Sequence, residues 1–154
     1  MKTVVISFRS HKNLKSWLDY AGNAFKSEGE LLALIVTKAA IEEASESKAS
    51  RLLDSLFSKR EVLGIGNTAV YAVRLPLSMA GLVRECAAKR GKSTSEWCAV
   101  VLLDWWQAFR ELYDEFHGKG DTTWLARYAE KYRALVDSLG TVYAQNSKNR
   151  GLRT

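Results

Sequence analysis

Residues 71–97 read YAVRLPLSMAGLVRECAAKRGKSTSEW, and the hydrophobic pattern of this stretch changes at Pro76. Before the proline, the segment 69–75 is rich in β-branched and aromatic side chains, which predicts a strand. Proline suits the first position of a helix, where its missing N–H is not needed. After it, apolar side chains recur at the spacing of one helical face: Met79, Leu82, Val83, Cys86 and Ala87. We therefore expect a strand followed directly by an amphipathic helix.

A second helix is predicted to begin just after the first one ends. Gly91 can end the first helix in a left-handed backbone conformation, which costs glycine little. Ser93 and Glu96 have the spacing of a capping box, which marks the start of a helix. The apolar residues that follow have the spacing of a largely buried helix: Trp97, Val100, Val101, Trp105 and Ala108.

The N-terminal part of the chain has the same order of predicted elements. The sequence TVVISFR at 3–9 predicts a strand, after which Ser10 can cap a helix over 11–25. Ser27 and Glu30 then form another capping box, and the helix that they begin reaches about residue 44. An offset of 66 residues matches the two parts: Ser10 with Pro76, Ala21 with Ala87, Ser27 with Ser93, Glu30 with Glu96 and Leu31 with Trp97.

The repeat indicates how the two strands are used. A single strand leaves backbone N–H and C=O groups without partners, so the two strands are expected to pair with each other. Four helices can then cover one face of the resulting ribbon. The predicted fold class is mainly α, with a two-stranded antiparallel β-ribbon, a tandem repeat and a C-terminal helical extension.

The rest of the chain supplies a linker and an extension. We expect a helical linker over 46–67, with an amphipathic stretch at 47–60 and a glycine-containing break before the second strand. A C-terminal helix is predicted within 118–145, followed by a basic tail at 146–154. Two alternatives stay open for the aromatic-rich C-terminal helices: the last helix packs back on the domain, or the rings form a self-association surface.

Composition and charge indicate which classes of partner and which compartment suit the protein. Lys and Arg total 23 and Asp and Glu total 17, so the formal net charge is +6, which is compatible with binding nucleic acid. No apolar run approaches the roughly 20 residues of a membrane span, and the N-terminus lacks the apolar region of a signal peptide. We therefore expect a cytoplasmic protein that does not insert into a membrane.

The sequence offers little that indicates an enzyme. It has no glycine-rich phosphate loop, no metal-ligand spacing and no nucleophile beside a plausible base. Cys86 and Cys98 lie among apolar residues and are predicted to be buried thiols, and neither His11 nor His117 belongs to a recognisable constellation. We expect no catalytic residue, no metal and no cofactor.

The quoted stretch resembles the ribbon-helix-helix DNA-binding family of the Arc, MetJ and CopG type. The resemblance is carried by the strand end Arg74-Leu75-Pro76, by Gly91 at the end of the first helix, and by Ser93-Thr94-Ser95-Glu96 at the start of the next. The first half departs from the pattern, because Ser10 replaces the proline and no glycine matches Gly91. Taken over roughly 3–45 and 69–110, the resemblance implies a single-chain, pseudo-dimeric member whose halves span 1–45 and 68–117.

The resemblance also implies which strand residues contact DNA bases. In the family the ribbon lies in the major groove, with alternate side chains facing the base edges. For the second strand the pattern turns Val70, Ala72 and Arg74 outward. For the first strand, an offset of 66 would bury a charge at Arg9, so we prefer a parity shifted by one, with Thr3, Val5, Ser7 and Arg9 outward.

Within this set, Arg74 is the foremost candidate because arginine can bond both guanine O6 and N7. Its alternative role is a solvated or phosphate-pairing arginine. The resemblance further implies that the second helix of each half directs its N-terminus at a DNA phosphate, a geometry that the helix dipole favours. The phosphate candidates around the two helix starts are Lys26, Ser27, Lys92, Ser93 and Thr94, for which solvated surface or simple helix capping is the alternative.

These expectations lead to a sequence-specific protein that binds double-stranded DNA and regulates transcription as a repressor. One alternative is an accessory DNA-binding protein of plasmid conjugation or partition, since the layout resembles that of single-chain tandem members of the family, some of which act in plasmid transfer. Another is a helical adaptor between proteins, which would have no salt-dependent affinity for DNA.

Overall fold

The computed structural model describes residues 2–45 and 68–151, with side chains as far as residue 146. In this part the protein is mainly helical, with one two-stranded antiparallel sheet and five helices. The elements in chain order are β1 (Thr3–His11), α1 (Leu14–Gly22), α2 (Glu28–Ala44), β2 (Thr68–Pro76), α3 (Leu77–Lys89), α4 (Thr94–Gly118) and α5 (Trp124–Gly151). The linker predicted at 46–67 lies outside the described residues.

The two strands pair with each other over their whole length, so the predicted ribbon is confirmed. Ile6 lies opposite Val73, and Phe8 lies opposite Tyr71 with the two rings stacked. The inward side chains are buried, while their neighbours along each strand are exposed. The shifted parity that we predicted for the first strand is therefore correct, because burying Phe8 and Ile6 removes apolar surface from water.

The prediction that Ser10 caps the first helix is wrong. Ser10 belongs to β1, is buried, and its Oγ donates a hydrogen bond to the Ala99 carbonyl oxygen of α4 at 3.3 Å. Strand pairing continues to His11 opposite Thr68, so the helix begins only at Leu14. The first helix is accordingly shorter than the predicted range 11–25.

The serine caps of both predicted capping boxes and the predicted glycine terminus are present. The Ser27 side chain accepts a hydrogen bond from Glu30 N at 3.0 Å, and that of Ser93 accepts one from Glu96 N at 3.1 Å. Gly91 has φ = +66°, and the next residue's N–H bonds back to the Ala87 carbonyl oxygen. These local contacts explain why α2 and α4 begin, and α3 ends, where the sequence indicated.

The core lies between the inward face of the ribbon and the helices, with α2 packed on β2, α4 on β1 and α3 on both strands. The last helix packs against α2, which confirms the first of the two alternatives for the C-terminal extension. It continues to Gly151, beyond residue 145 where the sequence placed its end. None of the helices in the described ranges combines the length and apolar character needed to cross a membrane.

Two glycines of the second half should respond in opposite ways to substitution by alanine. A Cβ would meet no other atom within 4 Å at either Gly81 or Gly91, so only backbone preference decides. Gly81→Ala, inside α3, should raise the free energy of unfolding by about 0.5–1 kcal/mol. Gly91→Ala should lower it by about 1 kcal/mol, because a left-handed backbone disfavours a Cβ. Urea unfolding would measure both, and equal shifts of the two variants would contradict this account.

Candidate nucleic-acid interface

The outer face of the ribbon carries all seven base-contact candidates, and every one of them is exposed: Thr3, Val5, Ser7, Arg9, Val70, Ala72 and Arg74. Arg74 lies opposite Val5, and Arg9 lies opposite Val70. The two arginines are thus four positions apart along the ribbon, a backbone separation of about 13 Å at the usual rise of a strand. Their side chains form two separate positive points on one narrow surface.

The other side chains on the outer face of the ribbon are short, and some of them are apolar. Val5 and Val70 each keep 50 % of their surface exposed. The exposed part of each valine contributes no hydrophobic stabilisation to the fold. A thymine methyl group in the major groove can make an apolar contact with it. The surface therefore suits a groove wall that presents both hydrogen-bonding edges and methyl groups.

The Arg74 side chain has a partner across the ribbon. Its Nη1 donates a hydrogen bond to the Thr3 hydroxyl oxygen at 3.3 Å. The contact lies on the exposed face, and it places the guanidinium group over the ribbon beside Thr3.

The start of α4 is attached to the edge of the ribbon. Ser95 Oγ donates a hydrogen bond to the Ser7 carbonyl oxygen at 3.0 Å, which brings the first turn of α4 beside β1. The phosphate candidates Ser93 and Thr94 belong to this same turn, and Lys92 directly precedes it. A helix N-terminus has free N–H groups and a positive dipole end, both of which favour an anion. The structure therefore brings three phosphate candidates close to the base-contact face.

The first turn of α2 carries more negative charge than the first turn of α4. Lys26 and Ser27 are exposed at the start of α2, but two carboxyl groups, Glu28 and Glu30, lie in its first turn. Burial raises the pKa of Glu28, and the hydrogen bond and negative charge of the neighbouring Asp19 raise it further. The negative charge of these acids repels a phosphate group, so the start of α2 is less suited to bind phosphate than the start of α4.

An arginine from the last helix offsets part of this negative charge. Arg133 Nε and Nη2 both donate to Glu30 Oε1, at 3.1 and 3.0 Å, and its guanidinium group lies over the Phe25 ring. Burial alone would raise the pKa of Glu30, but hydrogen bonds from the Lys26 backbone N–H and from Arg133 hold it below its usual value. No local pattern in the sequence indicates this contact, because Glu30 and Arg133 lie far apart along the chain.

A second set of contacts that the sequence did not indicate joins three helices. Glu43 of α2 forms an ion pair with Arg90, which follows α3, and Glu43 Oε2 accepts a hydrogen bond from Trp97 Nε1 of α4 at 2.6 Å. Trp97 is fully buried, so this carboxylate satisfies an indole N–H that cannot reach water. The contacts fix the orientation of α4 and hence of its N-terminal turn.

The two cysteines are buried thiols, as predicted. Burial raises the pKa of Cys86 to about 11 and that of Cys98 to about 12, so both stay protonated at neutral pH. Within the described ranges, no three side chains of the types His, Cys, Asp and Glu lie close enough together to hold a metal ion. The candidate site thus consists of the ribbon face and the helix start beside it. No family model, curated protein or solved structure matches this chain.

Proposed function

We propose that the chain is a single-chain, pseudo-dimeric ribbon-helix-helix protein that binds double-stranded DNA sequence-specifically and represses transcription. The observation that carries this proposal is the exposed outer face of the β1–β2 ribbon, with Arg9 and Arg74 upon it and the capped start of α4 hydrogen-bonded to its edge. Each half of the chain supplies one strand and two helices, so the binding unit needs no second copy to form the ribbon.

The dimensions and chemistry of the ribbon favour the major groove. That groove is about 12 Å wide and admits a two-stranded ribbon, whereas the minor groove is about half as wide. Arginine bonds guanine O6 and N7 there, and the valines of the outer face can contact thymine methyl groups. The separation of Arg9 and Arg74 corresponds to about four base pairs at 3.4 Å per step.

The two arginines of the outer face have equivalent places on the ribbon. The pairing register is centred on Ser7 opposite Ala72, and Arg9 and Arg74 lie two positions to either side of that pair. The recognised sequence is therefore an imperfect palindrome, because the two halves match at the arginines and differ at the centre. A small number of charged base contacts also implies that phosphate contacts and DNA shape supply much of the affinity.

Lys92, Ser93 and Thr94 form the stronger of the two proposed phosphate contacts. The start of α4 has only Glu96 as an acid in its first turn, while the start of α2 has two. At the α2 side, Lys26 and Ser27 contact phosphate only because Arg133 balances the charge of Glu30. The Arg133 side chain is thus a positioning residue for the weaker contact.

Selection of duplexes from a random pool at two salt concentrations tests the proposal. We expect an enriched sequence without full two-fold symmetry, and retention that falls steeply as salt rises because bound phosphates release counterions. A helical adaptor would retain no duplex even at low salt, and that outcome would remove the proposal. Where the enriched sequence lies, beside a promoter or beside a transfer origin, distinguishes the repressor from the accessory protein of plasmid conjugation or partition.

Lys92→Ala should weaken binding to all duplexes by a similar factor. Loss of one phosphate contact should also reduce the slope of log affinity against log salt by about 1. Lys119→Ala is the matched control, since Lys119 is an exposed lysine next to the opposite end of α4. Fluorescence anisotropy over a salt series measures the slope. A Lys92→Ala slope equal to that of Lys119→Ala would exclude Lys92 from the phosphate contacts.

Self-association through the C-terminal helices stays a separate proposal. The surface available for it is smaller than the sequence indicated, because several of the aromatic rings are buried. Trp105, Phe109 and Trp124 are buried in this chain. The large apolar side chains of α5 that remain exposed among the described residues are Leu135 and Val142.

A further inference from the structure

A cavity of about 330 Å³ lies between α4 and α5, away from the ribbon. Its walls are aromatic and aliphatic: Leu112, Phe116, Trp124, Tyr128, Tyr132 and Leu135. A second cavity of about 220 Å³ adjoins it and shares four of these residues: Leu112, Tyr128, Tyr132 and Leu135. The size and apolar lining are those of sites that bind small molecules, which usually begin at about 300 Å³.

The walls of the larger cavity are held by contacts within this chain. Trp124 stacks on Phe116 with ring centroids 5.7 Å apart, and Tyr128 lies against Tyr132 at 5.5 Å. Trp105 Nε1 donates a hydrogen bond to the Tyr128 oxygen at 3.0 Å. Because these rings are anchored in the core, a ligand would not have to order them, and little conformational entropy would be lost on binding.

The charged side chains that line the larger cavity are both basic, whereas the adjoining cavity is lined by Lys38, Glu42 and Asp104. Arg127 and Lys131, one helical turn apart on α5, line the larger cavity, and among the described residues no carboxylate does so. Asp121 neutralises Arg127 through an ion pair of 2.6 Å, whereas Lys131 has no ion-pair partner in the described part of the chain. Burial raises the pKa of Tyr132 well above its usual value, and the neighbouring Tyr128, Glu42 and Asp104 raise it further. Its hydroxyl can donate a hydrogen bond.

We propose that the cavity between α4 and α5 is a binding site for a hydrophobic carboxylate. The apolar part of the ligand lies among Trp124, Tyr128 and Tyr132, and the carboxylate group pairs with Lys131. Lys131 is exposed at the rim, where its ammonium group can meet a charged head group whose apolar tail lies between the cavity walls. The site is independent of the ribbon, so its test does not depend on DNA binding.

Calorimetric titration of the full chain with decanoate, decanol and decyltrimethylammonium tests the proposal. We expect decanoate to bind most tightly and the cation to bind least. Lys131→Gln should weaken decanoate by about fivefold and leave decanol unchanged, because only the carboxylate meets the lysine. Lys119→Gln is the control, as Lys119 is exposed and lines neither cavity.

A second pair of variants tests the location of the site. Leu135 lines both cavities and is 44 % exposed, so Leu135→Trp should fill their shared mouth and abolish binding without unfolding the chain. Thr141→Trp, on an exposed position of the same helix outside both cavities, should bind decanoate as the unmodified chain does. Absence of decanoate binding, or equal binding of all three compounds, would overturn the proposal. Sedimentation as a dimer that Leu135→Trp dissociates would equally overturn it, because a second copy would then occupy the groove.

Discussion

Phe109→Ala is expected to lower the free energy of unfolding by about 3–5 kcal/mol, the usual cost of removing a buried aromatic ring. Phe109 is fully buried in α4 and stacks on Trp105 with ring centroids 4.9 Å apart. Its other ring contacts reach two further helices: Trp17 and Tyr20 of α1, and Trp124 and Tyr128 of α5. Because the neighbouring rings are large and rigid, they cannot collapse into the space that the variant leaves.

Urea unfolding followed by far-ultraviolet circular dichroism measures this loss. Phe116→Ala is the matched control, since Phe116 lies on the same helix but is only half-buried and lines the cavity. We expect the control to lose clearly less stability than Phe109→Ala. Equal losses for the two variants would mean that Phe109 does not hold α1, α4 and α5 together.

Removing both arginines of the ribbon should have the largest effect on DNA binding. Arg9 and Arg74 are far enough apart for their contributions to add, and each base contact is worth about 1–3 kcal/mol. The double variant Arg9→Ala/Arg74→Ala should therefore bind the selected duplex at least about 30-fold more weakly. Its remaining affinity should show no preference at the two base positions concerned.

Fluorescence anisotropy with the selected duplex and with scrambled duplexes separates these effects. The charge-matched control is Arg84→Ala/Lys119→Ala, which removes two exposed cations from α3 and from the residue after α4. This control should weaken both kinds of duplex slightly and leave the preference intact. A double ribbon variant that still prefers the selected duplex would show that the arginines are not base contacts.

The sequence predicted the parts of the fold that local chemistry determines. Burial of Ile6 and Phe8 determines the parity of β1, and both serine caps lie where serine and glutamate are three residues apart. The left-handed backbone conformation of Gly91 could likewise be predicted, because glycine has no Cβ. Each of these features depends on residues that are close together in the chain.

What the sequence missed depends on residues that are far apart. Ser10 was expected as a cap, but its buried hydroxyl bonds to Ala99 on the other half of the chain. The contacts of Arg133 with Glu30 and of Glu43 with Trp97 likewise join different helices. No period or local motif marks such pairs, because they form only after the helices have packed around the ribbon.

The central claim is that the ribbon contacts base edges in the major groove, and 7-deazaguanine tests it most directly. This base lacks the N7 acceptor but keeps Watson–Crick pairing, so placing it at each guanine of the selected duplex removes one major-groove contact at a time. We predict that one position weakens binding of the unmodified chain but not of Arg74→Ala, and that a second weakens it but not Arg9→Ala, because each variant has already lost its contact. Unchanged binding at every substituted guanine would contradict the account.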